Sequence, residues 1–98
     1  MTYQLSIRKE AEADIAEAYQ YYEKCREDLG NDFVSCIEES LARITNNPRQ
    51  YKTIYKDVHR ALVRKFPYGI YYVFRNETVS VIGVLHARKN PRHWQARS

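Results

Sequence analysis

Hydrophobic and polar positions change period twice along this 98-residue chain, and each change marks an element boundary. Tyr3, Leu5 and Ile7 alternate with Gln4, Ser6 and Arg8, the two-residue repeat of a half-buried strand. The repeat then lengthens. Ala11, Ile15, Ala18, Tyr19, Tyr22 and Leu29 fall close to three or four apart, as on one face of an amphipathic helix with its acids on the outer face. Gly30 is placed to end that helix in the left-handed conformation, and Asn31 or Asp32 to cap a second one. Phe33, Ile37, Leu41 and Ile44 make the stripe of this second helix, with Cys36 and Ser40 beside it. Asn46-Asn47-Pro48 stops it, because proline has no N–H to donate and disfavours helix in the residue before it. So short a turn packs the two helices antiparallel.

From Val58 the helical period is gone. "VHRALVRKF" reads as a strand with charge on both faces, including Arg60, Arg64 and Lys65. "YGIYYVFR" and "TVSVIGVLH" are β-branched and aromatic runs suited to the middle of a sheet. Asn76-Glu77 is where a tight hairpin must join them, although it lacks the usual glycine. Pro67-Tyr68-Gly69 marks a bend before the pair. The pattern predicts an α+β fold of order β-α-α-β-β-β. An N-terminal strand and a helix hairpin pack on one face of a small antiparallel sheet, in a single domain spanning residues 1–98.

Composition changes the picture through its distribution. The chain is 44% hydrophobic and 29% charged, ordinary for a globular domain, and no apolar run is long enough to span a membrane. The N-terminus has no continuous apolar segment of signal-peptide type, so a cytoplasmic location is expected. Residues 1–50 hold ten acids and six Lys or Arg, a net of −4, while residues 51–98 hold two acids and ten bases, a net of +8. This split suggests a basic face that recruits nucleic acid or an acidic partner. Cys25 and Cys36 have no metal-ligand spacing and are expected as reduced, buried thiols. His59, His86 and His93 also lack ligand spacing, so no metal and no cofactor is expected.

The last strand run stops at Leu85, and "HARKNPRHWQARS" follows it with Arg88, Lys89, Arg92 and Arg97, two histidines and the only tryptophan. Arg88, Lys89, Arg92, His93, Trp94 and Arg97 are the candidate target-binding surface, since a large aromatic among arginines is the usual make-up of a binding hot spot. Trp94 serves equally well as a lid folded over the core.

Four segments in this order resemble the RelE/ParE superfamily, the toxins of bacterial type II toxin–antitoxin modules. They are "AEADIAEAYQYYE", "LGNDFVSCIEESLARITNNPRQY", "RKFPYGIYYVF" and "VIGVLHARKNPRHW". The resemblance implies a toxin that arrests growth until a cognate antitoxin covers it, in an oligomer with that antitoxin. For antitoxin binding, the charge split points to Arg60, Arg64, Arg88 and Arg92.

Members of the superfamily divide by target. RelE-like ones cut mRNA on the ribosome, and ParE-like ones poison DNA gyrase. A ribonuclease needs a general base, a general acid and cations for the phosphorane. His86, with Arg64 and Arg88, is the set available for that. The resemblance implies, for RelE-like nucleases, a histidine paired with a carboxylate or a tyrosine just past the last strand. Beyond residue 40 the only carboxylates are Asp57 and Glu77 and the tail has no tyrosine, with Tyr68, Tyr71 or Tyr72 left as substitutes, which favours the gyrase-type class. An RNA-binding module and a docking adaptor are the readings outside the superfamily, and both predict no growth arrest that depends on Arg88, Arg92 and Trp94.

Overall fold

The chain opens with strand β1 (Gln4–Ile7), then helices α1 (Lys9–Cys25) and α2 (Leu29–Asn46) and a single 3-10 turn at Pro48–Gln50. Strands β2 (Thr53–Tyr55), β3 (Val58–Leu62), β4 (Tyr68–Arg75) and β5 (Thr78–His86) follow, and helix α3 (Arg92–Gln95) lies beyond them. The computed structural model describes residues 3–98. The five strands form one sheet in the order β1-β5-β4-β3-β2. Strands β2 to β5 run antiparallel to one another in turn, while β1 lies parallel to β5, with Gln4 opposite Thr78 and Ile7 opposite Val81. The α+β architecture is therefore the expected one, with a mixed sheet and an extra short strand at its far edge.

The helix hairpin turns differently from the sequence expectation. Asp28, not Gly30, takes the left-handed conformation (φ 66°), and α2 has already begun at Leu29. Gly30 is needed for close approach. A Cβ there would stand 2.6 Å from Glu23 Cγ and 2.7 Å from the Tyr19 carbonyl oxygen. The Gly30 amide donates to Glu23 Oε1 at 2.8 Å, fastening α2 to α1. Neither Asn31 nor Asp32 caps α2, since both lie inside it.

Two apolar layers hold the sheet. On the helix side, Phe33, Ile37 and Ile44 of α2 pack with Ile70, Tyr72, Val79 and Val81. Tyr72 is fully buried, and its hydroxyl donates to the Pro48 carbonyl at 2.7 Å. His59 stacks on Tyr72 with ring centroids 5.0 Å apart, and its Nδ1 lies 2.7 Å from the Tyr51 carbonyl. These bonds fix the 3-10 turn to β3 and β4. On the opposite face, Val58, Tyr71, Val73, Ile82, Leu85 and Trp94 form a second cluster.

Strand β3 ends at Leu62, so Arg64 and Lys65 stand in the β3–β4 loop and not on the strand, Lys65 with φ 68°. Asn76 (φ 51°) and Glu77 (φ 61°) both adopt the left-handed region, which makes the β4–β5 connection a two-residue type I′ turn without glycine. Both cysteines are free. Cys36 is half-buried, but Cys25 is exposed, which corrects the expectation of two buried thiols.

Candidate functional site

The side chains past β5 divide between holding the tail down and facing solvent. Trp94 belongs to the first group: it is 6% exposed and stacks on Tyr71 (centroids 5.0 Å apart, planes 14° apart), with Tyr55 edge-on at 5.8 Å. Its ring closes the helix-free face of the sheet and offers no open platform. Arg60 sits directly opposite Tyr71 on β3, so it shares that face. Its stem runs over Gly69, where a Cβ would come within 3.2 Å of Arg60 Cγ and Cδ. Lys56 Nζ stands 5.3 Å above the Tyr55 ring. This face therefore has an aromatic floor with Lys56 and Arg60 around it, while α3 adds the exposed Arg92.

Arg97 has a structural task. β1 covers β5 only as far as Val81, whose carbonyl accepts from the Arg8 amide at 3.0 Å. Beyond that point the strand edge would be bare, and side chains replace the missing strand. Asp14 of α1 accepts from the Val84 amide at 3.0 Å. Arg97 Nη1 donates to the Ile82 carbonyl at 3.1 Å and to Asp14 Oδ2 at 2.6 Å, while Nη2 reaches Asp14 Oδ1 at 3.4 Å. The pair is mostly buried, with side-chain exposures of 23% for Arg97 and 11% for Asp14. Gly83 makes room for it, because a Cβ there would meet Arg97 Nη1 at 2.9 Å. Arg8 Nη1 also donates to the Arg97 carbonyl at 2.7 Å, so the first and last parts of the fold are joined.

Between α1, the end of β5 and the tail lies a cleft of about 390 Å³. His86 enters it from the end of β5, Glu17 and Tyr21 from α1, Tyr68 from β4, and Lys89 and His93 from the tail. The Arg88 amide donates to His86 Nδ1 at 3.0 Å, so the neutral ring carries its proton on Nε2. Tyr68 meets His86 edge-to-face at 5.5 Å. Burial first, and then the charges of Glu17 and Asp14 and the neighbouring Tyr21, push the Tyr68 hydroxyl above its ordinary range. It stays a protonated donor in the cleft.

The ribonuclease candidates are thus not gathered into one site. His86 and Arg88 are neighbours, but Arg64 points elsewhere and pairs with Glu39 of α2 at 3.0 Å, an acid it shares with Arg43. Glu77 stands in the hairpin at the opposite end of β5, and Asp57 pairs with Arg75, which holds its carboxyl below the usual range. Among the described residues Arg60, Arg88, Lys89 and Arg92 make no ion pair. No metal-binding group of His, Cys, Asp or Glu occurs among the described residues, and no helix among them is long and apolar enough to cross a membrane.

Two residues escaped the sequence reading. Asp14 and Glu17 were assigned to the outer face of α1 with the other acids, yet Asp14 turns in to the β5 edge and Glu17 lines the cleft. A signal for Asp14 existed. It lies three residues after the buried Ala11 and four before the buried Ala18, on the inward face.

Comparison with known proteins gives three findings. The model of the family described as ParE toxin of type II toxin-antitoxin system, parDE, matches residues 5–91. No curated protein sequence matches the chain. Among solved structures, a chain of the chromosomal ParDE toxin–antitoxin system from P. aeruginosa superposes with a TM-score of 0.76 at 13% identity, over 87% of this chain and 96% of that one. A mutant of E. coli toxin RelE in the free state superposes with a TM-score of 0.61 at 19% identity, over 99% of this chain and 94% of that one. At these identities the likeness is one of fold.

Proposed function

The chain belongs to the ParE toxin family of type II toxin–antitoxin systems, and from that premise we propose that it arrests growth by poisoning DNA gyrase in the cytoplasm until a cognate antitoxin neutralises it. The family match across residues 5–91 carries the toxin role, and the separation of Arg64, paired with Glu39, from His86 and Arg88 supports gyrase over RNA cleavage. The contact surface is the basic one formed by Arg60 on the helix-free face and by Arg88, Lys89 and Arg92 in the tail. Among the described residues these cations carry no carboxylate partner, so a partner's acids meet no internal competitor there. Trp94 and Arg97 hold that surface in place and are not its contact points. Arg64 serves the antitoxin only by exchanging Glu39 for a partner's carboxylate.

A second reading, ribosome-dependent mRNA cleavage, is favoured by one arrangement. His86 shares its cleft with the Glu17 carboxylate and Lys89, which supplies a carboxylate that the sequence order had hidden.

Pulse-labelling within minutes of inducing the gene alone separates the two. The gyrase reading expects thymidine incorporation to fall first and supercoiling by purified gyrase to be inhibited, with Arg88→Ala/Arg92→Ala losing both effects. An early collapse of amino-acid incorporation with thymidine uptake intact would overturn it in favour of cleavage.

A further inference from the structure

Growth arrest needs no small ligand, yet the cleft beside the tail has the size and lining of a ligand site. Its volume of about 390 Å³ falls in the range of small-molecule pockets. The floor is apolar, made by Ala18, Val84 and Leu85. The two walls have opposite character. On the α1 wall Asp14 is consumed by Arg97 and the Val84 amide, which leaves Glu17 as the carboxylate without an ion-pair partner among the described residues. Beside it stand Tyr21, 60% exposed, and the protonated hydroxyl of Tyr68. The tail wall carries the Lys89 ammonium and the His93 ring, and the Nε2–H of His86 stands next to it at the end of β5.

A ligand that satisfies both walls has a flat body, a face rich in N–H donors at one end and an anion at the other. A carboxylate accepts two parallel N–H bonds from a planar donor pair in the geometry that makes Arg–carboxylate pairs strong. The guanine edge offers such a pair, whereas the adenine edge offers one amino group next to an acceptor. Tyr21 supplies a ring for the base to stack on, Lys89 supplies a cation for a phosphate, and the His93 ring supplies an N–H beside it.

We propose that this cleft binds a guanine nucleotide, with Glu17 reading the base edge and Lys89 and His93 holding the phosphate. The site shares only Lys89 with the basic target surface, and its test reads nucleotide binding without any target present. Because Lys89 and His93 sit on the tail, a bound nucleotide ties the tail to α1 and stiffens the neighbouring Arg88 and Arg92.

The test is calorimetric titration of the purified full chain with GMP, AMP and guanosine, with no target protein present. GMP is expected to bind about tenfold more tightly than AMP, the discrimination of one good bidentate pair, and more tightly than guanosine. Glu17→Gln should erase the preference for GMP over AMP while keeping that for GMP over guanosine, and Lys89→Gln should do the reverse. Equal affinity for GMP and AMP in the unaltered chain, or no saturable binding of GMP, overturns the proposal without bearing on growth arrest. So does a loss of both preferences in either variant. The comparison on the unaltered chain decides the matter even if a variant fails to fold.

Discussion

At the scale of single residues, the groups that matter most are those whose polar atoms have one place to go. Asp14 accepts from the Val84 amide and two Arg97 nitrogens, so truncating it leaves a backbone N–H without its acceptor and a mostly buried cation with only the Ile82 carbonyl. Asp14→Ala should cost about 3 kcal/mol in urea unfolding, the usual penalty for breaking such a pair. Asp14→Asn, which keeps an acceptor for Val84, should cost roughly half as much. Tyr72 gives a different signature. Burial, and to a lesser extent Tyr51, raises its hydroxyl well above the ordinary value of 10.0. The folded chain therefore keeps this proton where the unfolded chain releases it. Its contribution is complete below about pH 10 and is lost as pH rises beyond that point. Tyr72→Phe should flatten the alkaline limb of a pH–stability curve while costing about 1 kcal/mol at neutral pH, because the Pro48 carbonyl loses its donor.

At the scale of elements, the β4–β5 turn and α3 are the places where local preference and structure part company. Glu77 adopts φ 61° in a turn that favours glycine, a strained choice for a side chain with a Cβ. Glu77→Gly should raise stability by roughly 0.5–1 kcal/mol, visible as a higher melting temperature. Helix α3 is four residues long and cannot persist alone. Trp94→Ala should release it and cost about 3–5 kcal/mol, with loss of the near-ultraviolet signal of the stacked Tyr71–Trp94 pair. The long elements were legible because their periods are strong: Phe33, Ile37 and Ile44 on α2 and the apolar runs of β4 and β5 sit in the core as read. Three-residue β2 and four-residue α3 left no period to detect. The hairpin turn was misassigned because glycine has two uses, and Gly30 serves close packing where a left-handed helix end was expected. In the candidate site, the basic tail was legible from charge alone. The cleft was not, because Glu17, Tyr68 and Lys89 come together only when α1 closes against the far end of β5.

At the scale of the molecule, the charge split becomes a division between surfaces. The acidic half of the chain builds most of the helix layer, and the basic half builds most of the sheet and the tail. The parallel pairing of β1 with β5 also has a consequence in time. Leu5 meets Val79 across most of the chain's length, whereas β4 and β5 meet through a two-residue turn. Loop-closure entropy lets the local hairpin assemble early and holds back the distant pairing until the helices have packed. β1 then joins last and, with Leu5 43% exposed and one edge unpaired, leaves first. In native-state hydrogen exchange the β1 amides bonded to β5 should lose protection through an opening that leaves the β4–β5 amides protected. The sheet would thus pass through a four-stranded state each time the molecule breathes, with the β5 edge bared to any strand able to reach it.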